Sequence, residues 1–201
     1  MRDDLTVPSW QTTDSRLAYA HPQFCLFEYQ VIRKDGALDV RHKLVEPAAV
    51  RVVAVDQDGL LALIWRWRYA LGYPAIELPS AQVEPGEEPL LAAQRALREG
   101  CGLAAHRWTS IRKITAATDL AAQTVHLYRG ERLYRVPRPA GDGERLAFAL
   151  PYDVAVASAL SGAIDDAVSV AALLHAEQDR LRGAWELPDA EPPRPPRTTR
   201  V

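Results

Sequence analysis

Cysteine is scarce in this sequence, with 2 in 201 residues. Cys25 and Cys101 stand alone, outside any CxxC or Cys/His cluster. That excludes a disulfide framework and a cysteine-based zinc site, and leaves two thiols expected to be buried. An excess of charge is lacking too, since 24 Lys and Arg against 26 Asp and Glu leave a net charge of -2. No general electrostatic footprint for nucleic acid or an anionic membrane exists, so any anion site must be local. Long apolar runs are missing: Leu60 to Trp65 is typical, far short of the roughly 18 to 20 residues that span a bilayer. The N-terminus carries Asp3, Asp4 and Asp14 in place of a basic start and an apolar stretch, so it does not read as a secretory signal and a cytoplasmic protein is expected. The five histidines are scattered without HxxxH or HExxH, and no G-x-S-x-G, P-loop or GxGxxG occurs.

What is present is ample apolar material: 48% of the residues are hydrophobic, enough for one domain with a sizeable core. Residues 1–22 have no sustained periodicity and are expected to be irregular. Strand patterns follow at Phe24 to Arg33 and Leu38 to Leu44 around a Lys34-Asp35-Gly36 turn, so 23–46 reads as an N-terminal β extension built on a hairpin. Further β-branched or aromatic runs cover Ala48 to Val55 and Leu60 to Tyr69, joined by Asp56-Gln57-Asp58-Gly59. A helix is predicted over Pro89 to Gly100, with Pro in its first turn, Gly after its end, and an apolar stripe of Leu90, Ala93, Leu97 and Cys101. Strands are then predicted at Trp108 to Thr115, Val125 to Leu133 and Arg145 to Ala149, and helices at Pro151 to Leu160 and Val168 to Arg182. Strands interrupted by one helix and closed by helices predict an α+β domain over 47–187. The last segment, 188–201, holds five prolines and three arginines and reads as a disordered tail.

Chemistry concentrates in Glu77 to Leu103, ELPSAQVEPGEEPLLAAQRALREGCGL. This stretch resembles the Nudix box, G-x5-E-x7-R-E-U-x-E-E-x-G-U with U a large aliphatic residue. Glu87, Arg95, Leu97, Glu99, Gly102 and Leu103 fall on its positions at unbroken spacing, whereas Ala81, Ala96 and Gly100 replace a Gly and two Glu. The strand with Arg68 followed by Glu77-Leu78-Pro79, and the segments Val125 to Tyr128 and Gly162 to Leu174, are similar to ADP-ribose and nucleoside-diphosphate-sugar pyrophosphatases of that superfamily. The resemblance covers residues 22 to 180. It implies the Nudix α-β-α sandwich with the N-terminal β-hairpin extension, a homodimer formed through that extension, and a small diphosphate-like ligand.

The departures bear on the chemistry that the resemblance implies. Positions three and four apart share a helix face, so 96, 99 and 100 are expected to project together. In an intact box all three are carboxylates that hold Mg²⁺, which needs hard oxygen ligands. Here Glu99 is the survivor, Glu87 is a second carboxylate in the loop ahead of the helix, and the Ala81 backbone carbonyl stands where Gly normally gives one. Weak or absent Mg²⁺ binding through Glu99, Glu87 and Ala81 is therefore expected, with Arg95 orienting the acids. Gln123 occupies a place where the related enzymes often carry another Glu. In Trp65-Arg66-Trp67-Arg68-Tyr69, strand alternation puts Arg66 and Arg68 on one face, suited to an anion or an acidic partner, and the aromatics on the other, expected in the core or against a second subunit. Arg66, Arg68, Glu77 and Gln123 are the expected substrate-binding residues. Three functional expectations follow: a Nudix-derived binder with little hydrolysis, a working pyrophosphohydrolase with a reduced metal site, or an enzyme of different chemistry in the old pocket.

Overall fold

The computed structural model describes residues 10–139 and 145–187. The Pro/Arg-rich segment and the first nine residues lie outside that range. Two units emerge. One holds the described residues up to Ala48 together with Thr115–Thr124, and the other holds Ala49–Ile114 and the described residues from Val125 onward.

In the first unit, β1 (Gln11–His21), β2 (Phe24–Ile32) and β3 (Leu38–Val45) form an antiparallel sheet in that order. The described part of the segment expected to be irregular, residues 10–22, is thus largely a strand, which corrects the reading there. Every residue of β1 is exposed, so burial imposes no apolar alternation that periodicity could detect. Its order comes from the ladder to β2, running from Gln11↔Ile32 to His21↔Phe24 with two irregularities, and from Arg16 pairing with Glu28 at 2.7 Å. The β2–β3 turn is built by Asp35, whose carboxylate accepts from the Ala37 N–H at 3.1 Å, and by Gly36 at φ 82°, a conformation that favours glycine.

The second unit is organised by β4 (Ala49–Val55) and β5 (Leu60–Arg68), with β6 (Tyr73–Glu77) on β5 and β7 (Ser80–Gln82) on β4. The long strands β8 (Leu103–Ala117) and β9 (Ala122–Arg135) and the strand β10 (Arg145–Pro151) complete a sheet ordered β10-β5-β4-β9-β8. Strands β4 and β9 run parallel, from Ala49↔Val125 to Val55↔Glu131. The tip of β8 and β9 belongs to the first unit, where the Leu44 N–H donates to the Leu120 carbonyl at 2.8 Å.

Strand β4 is buried on both faces, which is the pattern of a sheet covered on both sides. On one face Val50, Val52 and Ala54 pack with Ala62 of β5 and with Ala92, Ala93, Ala96 and Leu97 of helix α1 (Pro89–Cys101). On the other lie α2 (Tyr152–Ser161) and α3 (Ala167–Leu181), whose Ala155, Ala172, Leu173 and Ala176 are buried. The sheet lies between helices, as the α-β-α sandwich requires.

Helix α1 starts on Pro89 and ends on Gly102, which is left-handed at φ 65° and donates its N–H to the Arg98 carbonyl at 2.8 Å. Its buried face is Ala92, Ala93, Ala96, Leu97 and Gly100, rotated from the expected stripe, so that Leu90 is 36% exposed. Small residues dominate because the helix lies close on β5: a Cβ at Gly100 would stand 2.6 Å from Ile64 Cδ1.

Candidate functional site

The centre of the box is Arg95. Its Nε donates to Glu87 Oε1 at 3.0 Å, and its Nη2 donates to Glu87 Oε2 and to the Gln82 carbonyl, both at 2.8 Å. Glu84 and Glu99 stand farther off, at 3.6 and 4.0 Å from Nη1. Glu87 is presented by the tight turn before α1, in which its N–H donates to the Glu84 carbonyl and its Oε2 accepts from the Glu84 N–H, each at 2.9 Å. The Arg95 hydrogen bonds, with the Glu84 N–H second, hold the Glu87 carboxyl below the usual range. Arg95 thus organises Glu87 more strongly than Glu99.

The helix face differs from expectation. Ala96 and Gly100 are buried against the sheet and Glu99 alone, on the flank, keeps 36% of its side chain exposed, so the three positions do not project to one point. The i and i+4 positions 96 and 100 face the strands, and residue 99 lies about 60° from 96 and about 100° from 100 around a 3.6-residue turn, on the flank. This donor set does not fit a resident Mg²⁺. Both Glu87 oxygens are engaged by Arg95, positions 96 and 100 bring no side-chain oxygen, Ala81 sits in β7 opposite Val50, and Glu99 remains as a single carboxylate. Among the described residues no group of three or more His, Cys, Asp or Glu is placed to hold a metal.

On β5 the alternation holds, but its outcome differs. Trp65 and Trp67 are 42% and 47% exposed and Tyr69 is 95% exposed, so of the two places expected for these aromatics, the core or a second subunit, the core is not the one they occupy. Arg66 and Arg68 are half-buried. Arg68 forks onto both oxygens of Glu77, which is 3% exposed. The Glu77 hydrogen bonds raise the Arg68 pKa against the opposing effect of burial. Sequence reading expected an anion or an acidic partner at this face, and the fold supplies the acid.

The Glu77-Leu78-Pro79 loop is pinned from α3. The Leu78 N–H donates to Ser169 Oγ at 3.0 Å, and Ser169 Oγ donates to the α3 cap Asp166 at 2.6 Å. Arg51 of β4 approaches the same Asp166 oxygen at 3.5 Å. Burial opposes ionisation of Asp166, but the Arg51 charge and the two Ser169 hydrogen bonds outweigh it and hold the carboxyl below its ordinary value. Asp166 and Ser169 escaped the sequence reading, although Asp-x-x-Ser ahead of an apolar run is a helix-start signal. Gln123 belongs to the first unit, where its Nε2 donates to the Pro47 carbonyl at 2.9 Å.

Beside α1 lies a cavity of about 510 Å³ bounded by Glu87, Arg95, Arg98, Trp108 and Tyr134. Arg98 is exposed on the helix, Trp108 donates its indole N–H to the Ala105 carbonyl at 3.1 Å, and Tyr134 stacks with His106 at 4.4 Å between centroids. Guanidiniums next to aromatic faces suit a ligand with both anionic and planar parts. Only Glu87 and Arg95 of this set were legible in the sequence. Of the two cysteines, both partly buried and free, Cys101 has its thiol pushed up to about 12 by burial.

Among proteins of known function, this chain is 28% identical over 169 residues to an ADP-ribose pyrophosphatase of Mycobacterium tuberculosis, covering 82% of each chain. It is 31% identical over 108 residues to an ADP-ribose pyrophosphatase of Bacillus subtilis, covering 54% of this chain and 58% of that one. A methanol dehydrogenase activator of Bacillus methanolicus is 25% identical over 107 residues, again with 58% of that protein spanned. A crystal structure of an ADP compounds hydrolase superposes with a TM-score of 0.76 at 18% identity, over 89% of this chain and 97% of that one. No family model matches the sequence.

Proposed function

We propose that this chain, which has the Nudix fold and is ADP-ribose pyrophosphatase-like, binds a nucleotide-diphosphate-like small molecule and hydrolyses it weakly or not at all. The observation that carries the reading is the packing of Ala96 and Gly100 onto the sheet. Two of the box's acidic positions have become core, and a buried face cannot present oxygen to a hydrated cation without unpacking. Ligand binding is supported by the cavity beside α1, whose volume lies within the range of small-molecule sites.

When Mg²⁺ is bound to such a fold it would neutralise diphosphate charge and activate water. Glu99, 4.0 Å from Arg95 Nη1, is the acid that α1 itself offers with a loosely held carboxylate, and Glu84, 3.6 Å from the same nitrogen and 67% exposed, is a second one in the turn before it. Arg95 keeps Glu87 ionised and fixed, and Arg98 offers an exposed guanidinium to an anion.

The printed names of the relatives favour a second reading, an active pyrophosphohydrolase that works through Glu87 and Glu99. One experiment separates the two: ADP-ribose binding by calorimetry without metal, and turnover of ADP-ribose with Mg²⁺ by product release. The proposal expects saturable metal-free binding and turnover far below the usual range of about 1 to 1,000 per second. Turnover inside that range, abolished by Glu99→Gln, establishes the second reading instead.

A further inference from the structure

The face of the sheet away from α1 carries a second polar cluster that the box does not use. Strand β9 alternates, so Tyr128 packs toward the α1 cluster while Arg129 lies under Trp185, with its guanidinium carbon 4.7 Å from the indole centroid. Arg129 is 3% exposed, yet its Nε and Nη1 make no hydrogen bond. Trp185 is 4% exposed with an unpartnered indole N–H. Tyr152, 1% exposed and edge-on to Trp185 at 5.0 Å, has an unpartnered hydroxyl. Desolvating a guanidinium without hydrogen bonds is costly, and buried polar groups normally find partners.

The nearest counter-charge is Glu131, and it is shared. Its Oε2 lies 3.3 Å from Arg129 Nε and 3.7 Å from Arg107 Nε, in each case without hydrogen-bond geometry. Trp185 and Glu131 open onto a cavity of about 410 Å³ at the carboxyl ends of β4 and β9, whose wall also includes Arg107, Arg132 and Glu186. Arg132, at φ 55°, is the one non-glycine residue at positive φ among the described residues. Three guanidiniums thus meet two carboxylates, and the deep unpartnered groups are N–H and O–H donors apart from one Glu131 oxygen.

We infer that this cavity binds a small oxyanion, a carboxylate or a phosphate. The ligand is held by Arg107 and Arg132 against the Trp185 side chain, with the Arg129 charge and the buried indole N–H behind. Donor excess sets the sign, because Glu131 is already divided between two arginines and has little left for a cation. Arginine forks match the oxygens of either anion.

The test titrates the full chain with inorganic phosphate and, separately, with acetate, using potassium chloride at matched ionic strength as the control. Intrinsic tryptophan fluorescence and melting temperature are read together. One of the two anions should give a saturable fluorescence change and a rise in melting temperature that chloride does not give, and which anion does so identifies the chemistry. Arg107 is 67% exposed, so Arg107→Ala leaves the fold intact, and it should weaken that response about tenfold. Trp185→Phe keeps an aromatic side chain on the cavity wall but removes the reporter there, and should remove the fluorescence change while the anion still raises the melting temperature. No saturable response to either anion in the millimolar range, or a response that Arg107→Ala leaves unchanged, overturns the inference. ADP-ribose binding beside α1 is scored separately, so the two sites stand or fall independently.

Discussion

The two faces of the central sheet treat buried arginine in opposite ways. On the α1 side, Arg95 has three short hydrogen bonds to Glu87 and Gln82. On the opposite side, Arg129 is more deeply buried and has none. The same residue type is a structural clasp in one place and an unsatisfied donor in the other. The number of acceptors delivered by the surrounding backbone and side chains makes the difference. A satisfied guanidinium fixes a loop, whereas an unsatisfied one asks for a ligand.

The comparison is broken most severely by restoring the acids of the box. Ala96→Glu with Gly100→Glu places two carboxylates on a face that packs on Val50, Val52 and Ile64. The double variant should lose about 4 kcal/mol or more from overpacking and buried charge, measured by denaturant unfolding. A double variant with the parent's stability and a new Mg²⁺-induced rise in melting temperature would place positions 96 and 100 at a metal-accessible surface after all.

A smaller effect sharpens it. Arg95→Met should cost about 2 to 3 kcal/mol, since Glu87 and the Gln82 carbonyl lose a charged donor. Arg129→Met made together with Glu131→Gln removes a buried ion pair that lacks hydrogen-bond geometry, and this exchange should change stability by no more than about 1 kcal/mol in either direction. Equal losses from Arg95→Met and from this double exchange, by the same unfolding measurement, would erase the distinction between the faces.

The smallest effect is a pH dependence on the α1 side. Arg95 lowers the Glu87 pKa below its ordinary value, so the contribution of this pair is complete above the unfolded carboxyl's pKa and is lost as pH falls through the lower, folded one. Glu87 is partly exposed, so the contribution is about 1 kcal/mol or less. Glu87→Gln should therefore lower the melting temperature at pH 7 more than at pH 3. A difference independent of pH would mean that Arg95 stabilises Glu87 by packing and not by charge.

Much of the fold was legible in the residues. The buried run Ala49–Val55, the Pro89 start and Gly102 end of α1, and the box spacing each carry a local signal strong enough to read, because propensity, capping and burial agree there. Strand β1 was not legible, since an exposed strand held by its neighbour leaves no periodic trace in composition. Strands β6 and β7 were missed for a related reason: they are short, and sheet pairing alone defines them.

The sequence by itself determined which side chains are available: Arg95 and Glu87 at their spacing, and Ala and Gly where acids would complete the box. Tertiary structure alone decided that Ala96 and Gly100 face the sheet, that Glu77 neutralises Arg68, and that Arg129, Tyr152 and Trp185, drawn from a strand, a helix and the segment after α3, meet in one cluster. Spacing along a helix fixes only neighbours three or four residues apart. Contacts between residues far apart in sequence depend on how the helices rotate against the sheet, and that rotation is set by packing the whole core at once.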